Sequence, residues 1–506
     1  MTSSQPTDIS SPVQFYKEKY TLSDKIVKRW LVIPKCMAYH NDIDREKTGG
    51  LLHMIKREIP AFYRQLFVLV LPIAIQNLIS AMVNSVDVLM LGYVSQSAIA
   101  AVSLANQVMF ILNIFITGLG SGIAMLVSQY WGKKDTRTIE HILGIALRFS
   151  VPISMLFCVA AIVLPSQIMH IFTNDTNLIT LGSRYLRILG VSYVLMGFSQ
   201  MYLCMMRSIE RVKFSTITSV CAVLVNIILN ACFIFGLLGI PKLGLIGVAF
   251  ATTVARAFEV VVCVIDNQRQ KEVHFHIGSL FYSEPLLFRD FLKYSLPAVA
   301  NECVWGVAFL LYTVIMGHLN EDIVAANSVV TVVRDLFAVV GYGIAYGGAI
   351  ILGKTIGEGA MDRAREDASR LIRVTLISGA AGAILLYLAR PLIFTMVSLS
   401  DTANVYLEQM LFISCYYLIG QLINTCLICG VFRAGGDSRY GLICDIICMW
   451  GVMVPAGFLA AFVWKLSPIT VYFILCLDEF VKMPFIFYHY KKGTWLQNIT
   501  RDFPEK

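Results

Sequence analysis

From residue 66 to residue 488 the chain is a succession of apolar runs separated by polar breaks. Each run reaches the length of about 20 residues that a helix needs to cross a hydrocarbon core. The pattern predicts twelve spans, near 66–94, 97–127, 140–164, 178–204, 214–237, 243–265, 291–318, 323–352, 368–393, 403–431, 440–463 and 468–488. Most breaks are short, as at 95–97, 239–242 and 318–322. The longest, 266–289, separates two sets of six spans. The first 60 residues are polar and mixed in charge, and their longest apolar stretch, 30–34, is too short for the core of a signal peptide. No cleaved leader is therefore expected.

Composition agrees with this pattern. The chain has 506 residues, of which 57% are hydrophobic and 15% charged, where a soluble protein would carry about a quarter charged. The expectation is an all-α polytopic membrane protein. Lys and Arg divide the loops into two kinds. One set carries Lys133, Lys134 and Arg137; Arg207, Arg211 and Lys213; Arg269, Lys271 and Arg289; Lys354, Arg363 and Arg365; and Arg433 and Arg439. The alternate loops hold little beyond Lys242, Arg390 and Lys465. Basic loops stay on the cytoplasmic side, so both termini are expected there. The net charge of +8 is thus a topology signal and requires no nucleic-acid partner. Most of the thirteen cysteines lie in apolar segments, among them Cys204, Cys263 and Cys448, where a reduced thiol acts as a small apolar group. Cys426 and Cys429 have redox spacing but sit in a hydrophobic helix.

The chain also repeats itself. Residues 64–132 lie over 289–357 without a gap, at an offset of 225 positions, the separation of Arg64 from Arg289. Leu71-Pro72 falls on Leu296-Pro297, Gly92 on Gly317, and Gly118, Gly122 and Gly132 on Gly343, Gly347 and Gly357. Proline and glycine mark bends and close helix approaches, so their coincidence implies one backbone path used twice. Six spans per copy make the repeats parallel, a plan that in secondary transporters puts the substrate site between the halves. The expected organisation is an N-terminal tail 1–61, a first lobe 62–265, a linker 266–290, a second lobe 291–490 and a C-terminal tail 491–506.

Charged and amide residues inside spans are the candidates for chemistry, because a charge at bilayer depth costs about 2.5–3.5 kcal/mol or more. Asp87 lies within the first span, near its end, with no basic residue within a helical turn. It suits a group that takes up and releases a proton or cation, although it could also face loop water at the helix end. Glu302 follows Pro297 in the seventh span. Asn226 and Asn230 share one face of the fifth and could complete a Na+ site with Asp87 or bond to neighbouring helices. Asp335, Gln421 and Asn424 are substrate-cavity candidates. Arg334 and Asp335, as adjacent residues, point about 100° apart and need not pair. Arg256 with Glu259 and Asp478 with Lys482 have pairing distances along a helix, while Asp445 and Glu479 have no evident partner. Gly348-Ala-Ile-Ile-Leu-Gly353-Lys354-Thr355 matches the P-loop letter for letter. It ends an apolar helix whose N–H groups are already bonded, so helix packing explains its glycines and the membrane edge its lysine. His274-Phe-His276 is expected in an exposed loop rather than at a metal.

Val86-Asp87-Val-Leu-Met-Leu-Gly92, Gly118-Leu-Gly120-x-Gly122, Gln129-Tyr-Trp-Gly132, Asn226-Ile-Ile-Leu-Asn230, Phe432-Arg-Ala-Gly-Gly-Asp437 and Val454-Pro455 occur in that order. Together they resemble the multidrug and toxic compound extrusion (MATE) family. The resemblance implies a V-shaped transporter of two six-helix lobes that open alternately to either membrane face. It implies a monomer of the cell membrane, with no enzymatic activity and no ATP or other cofactor, exporting organic cations in exchange for H+ or Na+. It places the coupling ion at Asp87, with Asn226 and Asn230 beside it and Glu302 in the second lobe. One branch adds an acid to the tenth span, where this chain has Gln421 and Asn424. Rival readings are a lipid-linked oligosaccharide flippase, whose cavity would be lined with basic residues, and an ATP-driven pump resting on the P-loop match.

Overall fold

The computed structural model describes residues 61–503 except 94, 240, 271, 283 and 398; the side chains of 80–89, 92 and 238 also lie outside the description. The chain divides into two compact units, Met1–Arg64 and Gln65–Lys506. Of the first, only 61–64 are described, as helical residues, so the predicted tail 1–61 lies almost wholly outside the described residues. Everything below concerns the second unit.

Each of the twelve predicted spans is helical. We number them α1 (Ala61–Gly92), α2 (Gln96–Gly132), α3 (Thr136–Val163), α4 (Thr176–Ser208), α5 (Val212–Phe235), α6 (Leu245–Arg269), α7 (Pro285–Gly317), α8 (Glu321–Gly357), α9 (Met361–Met396), α10 (Asp401–Thr425), α11 (opening with Ser438–Asp445) and α12 (Pro468–Leu475, then Asp478–Lys492). Eleven are long and apolar enough to cross a membrane. The twelfth is interrupted at Cys476–Leu477 and carries Asp478, Glu479 and Lys482. Three features were not legible in the pattern: a short helix Pro165–Phe172 after α3, the interruption of α12, and π-helical turns at Cys426–Phe432, Ile446–Met453 and Leu459–Val463. Large apolar residues such as Leu156, Val163, Leu385, Leu388, Phe412 and Ile447 stand exposed, as hydrocarbon-facing residues must.

Within the first copy, α2 and α3 pack on α4, and α4 and α5 pack on α6; within the second, α8 and α9 pack on α10. Between copies, α2 packs on α7 and α8. The repeat extends to the ends of its elements. Ser95 caps α2 by accepting from the Ala98 N–H, and its counterpart Asn320 caps α8 by accepting from Asp322. Lys134 after α2 has φ 64° and its counterpart Gly359 has φ 80°, one left-handed turn built with two different residues.

The matched pairs Gly118 and Gly343, Gly122 and Gly347, and Gly132 and Gly357 lie where the copies meet. A Cβ on Gly118 would stand 2.5 Å from Val299 Cα, and one on Gly122 would stand 1.8 Å from Ser295 Oγ. Their counterparts Gly343 and Gly347 face Ala74 and Val70, the counterparts of Val299 and Ser295. Gly132 approaches the Lys354 carbonyl and Gly357 the Gln129 carbonyl, two contacts that the offset of 225 exchanges. Gly353 rests on Ser128, a residue on its own counterpart. A pseudo-two-fold axis therefore runs between α2 and α8, and close backbone approach holds it.

The segment after α12 covers this junction. Trp495 is buried. The buried Gln129 donates to the Ala434 and Gln497 carbonyls at 2.7 and 3.1 Å and accepts from the Ile499 N–H at 2.9 Å. Asn498 donates to the Ile356 carbonyl, and Arg501 pairs with Asp290 on α7. Residues 493–503 thus tie both copies together at the end that carries the basic loops.

Candidate functional site

Away from that junction the second copy encloses a cavity of about 670 Å³. Its wall is built by α7, α8, α10, α11 and α12, and Asn77 and Phe110 reach it from the first copy. Trp305, Phe309, Tyr342 and Tyr346 give it an aromatic lining.

A network of charge runs along one side. Arg433 donates to Ser121 Oγ at 2.8 Å, Asn301 Oδ1 at 2.8 Å and Glu302 Oε1 at 3.0 Å. Asn301 donates to Asp445 at 2.5 Å. Lys482 Nζ lies 3.2 Å from Asp445 Oδ1 and 3.3 Å from Glu479 Oε2. Asn424 donates to both the carbonyl and the carboxylate of Glu479 at 2.6 Å. All these side chains are buried except Glu302 and Ser121, which are half-buried. A charge removed from water is tolerable when it is paired and hydrogen-bonded, and each cation here has that shell.

The π-helical turns position two members of the network. The turn 426–432 leads straight into Arg433, and the turn 446–453 begins just after Asp445. An extra residue per turn rotates the helix locally, which is how such turns re-aim side chains. The interruption of α12 likewise starts its second half with Asp478 and Glu479.

Several expectations change at this point. Arg433 is a buried partner of Glu302, so it is not one of the loop cations, because the π-helical turn carries it inward. Lys482 pairs with Asp445 and Glu479 instead of Asp478. Lys354, read as a membrane-edge lysine, gains a partner in Glu210 at 2.6 Å, in the turn between α4 and α5. The P-loop look-alike is helical throughout and its glycines serve helix packing as expected, Gly348 against Leu371 and Gly353 against Ser128. One pairing agrees with its helical spacing. Arg256 meets Glu259 at 2.9 Å, and Arg334 makes no ion pair with Asp335 among the described residues. His276 is an exposed residue bonded to Glu140. Asp335 and Gln421 line the cavity, and Gln421 donates to Tyr342 Oη at 2.9 Å.

The first copy has its own cavity of about 550 Å³, lined by Asn106, Asn113, Gln200, Asn226, Arg256 and Glu259 among others. Asn230 donates to Asn226 Oδ1 at 3.2 Å, and Asn226 to Thr252 at 3.2 Å, so the two amides share a face as their spacing requires. Glu259 is fully engaged by Ser199, Gln200 and Arg256. The backbone of Asp87 belongs to the last turns of α1, and its side chain lies outside the described residues.

Two copies of a parallel helical repeat, meeting at one end and enclosing cavities elsewhere, define a membrane transporter. The MatE pattern matches the chain twice, over residues 72–232 and 297–459, and the chain belongs to that family of transporters. The two matches start at the separation already found for the repeat. The chain is similar to Probable multidrug resistance protein YoeA of Bacillus subtilis, 24% identical over 424 residues, 82% of this chain and 91% of the relative. It is also similar to Probable multidrug resistance protein NorM of Synechocystis sp., 26% identical over 418 residues, 80% of this chain and 89% of the relative. Among solved structures, MATE in the bent conformation superposes with a TM-score of 0.77 at 16% identity, covering 86% of this chain and 96% of that one. An outward-facing multidrug resistance MATE family transporter gives 0.77 at 16% identity, covering 85% and 95%. These structural likenesses establish the fold.

Proposed function

We propose that this protein is a secondary antiporter that exports organic, mainly cationic, compounds in exchange for H+ or Na+ by alternating access. The observation that carries this reading is a cavity whose aromatic wall also presents Asp335, a carboxylate open to the cavity and without an ion-pair partner among the described residues. Aromatic faces and a carboxylate together recognise organic cations. With the basic loops on the cytoplasmic side, the end sealed by α2, α8 and residues 493–503 is the cytoplasmic one. Asp87 binds the coupling ion, with Asn226 and Asn230 beside it. The names of the relatives support drugs as cargo. A flippase for a pyrophosphate-linked lipid is disfavoured, because two of the three cations lining the cavity, Arg433 and Lys482, are already paired. The reading is tested in proteoliposomes with a fluorescent organic cation, imposing pH and Na+ gradients separately. One gradient should drive uptake against a concentration difference, and Asp335→Asn should raise the KM. Equal uptake without either gradient would refute coupling.

A further inference from the structure

The cavity contains one cation that the network does not use. Arg334, on α8, is 7% exposed. Its guanidinium carbon lies 4.9 Å from the centre of the Tyr417 ring. Its Nε is buried without a hydrogen-bond partner, and among the described residues no carboxylate comes within 4.0 Å of the group. The contrast with its neighbours is sharp: Arg433 has three bonded partners and Lys482 two carboxylates. A guanidinium cannot shed its proton at physiological pH, so at this depth it stays charged and needs an anion.

We propose that Arg334 is the receptor for a carboxylate, or an oxyanion of like charge, on the transported compound. The planar fork of Arg matches two carboxylate oxygens, and the Tyr417 ring beneath holds the plane of the fork in place. Asp335, the next residue, opens on the same cavity and takes the positive group. Because adjacent residues on a helix diverge by about 100°, the two charges form no close ion pair with each other and approach a bound molecule from different sides. The cavity therefore selects amphoteric compounds, flat enough for its aromatic wall and carrying an amine and an acid together. A purely cationic compound leaves Arg334 unpaired, and a purely anionic one leaves Asp335 unpaired. This assignment of substrate class rests on the efflux reading above.

The test uses the purified full-length protein and a matched pair of xanthylium dyes, one with a free carboxylate and the other its methyl ester. Affinity is read by fluorescence anisotropy, and the measured quantity is the ratio of the two affinities, in which any general damage to the protein cancels. Wild type should favour the free acid. Arg334→Gln should lower that ratio about tenfold, the worth of a hydrogen bond to a charged group. Arg334→Lys should retain part of the preference, since it keeps the charge and loses the fork. A ratio unchanged in Arg334→Gln, or a wild type that favours the ester, overturns the assignment. Failure of wild type to bind either dye overturns the efflux reading along with it.

Discussion

Lys482 is an ammonium group at bilayer depth, and its two carboxylates at 3.2 and 3.3 Å make it tolerable there. Lys482→Met would leave Asp445 and Glu479 without their cation. Breaking a buried pair from one side costs about 3–5 kcal/mol. The melting temperature in detergent should therefore fall steeply, and should recover when Asp445→Asn and Glu479→Gln are added. An unaltered melt for the single variant would show that the carboxylates find another partner. Glu210, in the turn between α4 and α5, illustrates a different balance. Burial pushes its pKa up, but the hydrogen bond from Lys354, with those from Trp131 and Gln65, outweighs burial and holds it below the ordinary value of 4.5. A depressed carboxylate stabilises the fold above its unfolded pKa and loses that contribution as pH falls through the folded value. Wild type should thus lose stability below about pH 4.5, and Glu210→Gln should be less stable at neutral pH but flatter across that range. Parallel pH profiles would contradict this role. The sequence exposed the candidates but not these pairings. Arg256 with Glu259 could be read because they share a helix. Arg433 with Glu302, and Lys482 with Asp445, join different helices, and no spacing along the chain encodes such contacts.

At the scale of elements, hydropathy located all twelve helical segments, eleven of which have the length and apolarity that a membrane demands of a helix. The interruption of α12 escaped because no Pro or Gly marks 476–477, and the π-helical turns escaped because Gly430 and Gly451, which lie in two of them, do not specify a π turn by themselves. The repeat's glycines were legible as coincidences, and the structure supplies their cause. At Gly357 an added Cβ would stand 1.9 Å from the Gln129 carbonyl oxygen, a backbone atom that cannot rotate away. Gly357→Ala should therefore part α2 from α8 at a cost of about 1–3 kcal/mol. The expected readout is faster alkylation of a cysteine placed at Ser128, which lies against Gly353 on the axis. Gly317→Ala, where nothing lies within 4 Å, serves as the control. Equal alkylation rates in the two variants would mean that the glycine contacts do not hold this end shut.

For the molecule as a whole, duplication provides the scaffold and divergence the chemistry. The contacts that close one end obey the offset of 225, whereas the charges do not: Asp87 falls on Tyr312 and Glu302 on Asn77. A two-state carrier requires an end that can separate and a ligand that binds the two states unequally. The proposed mechanism assigns that role to the junction of α2, α8 and residues 493–503. Substrate and coupling ion are proposed to bias it through different copies, the cavity of the second and Asp87 of the first. The most direct test is therefore of reciprocity. Sealed proteoliposomes are loaded with an organic cation and diluted into dye-free buffer, and movement of H+ and of Na+ is followed in the opposite direction. Substrate efflux should drive uptake of one of these ions in wild type and of neither in Asp87→Asn, with substrate binding retained. Full substrate-driven ion uptake in Asp87→Asn would contradict the account.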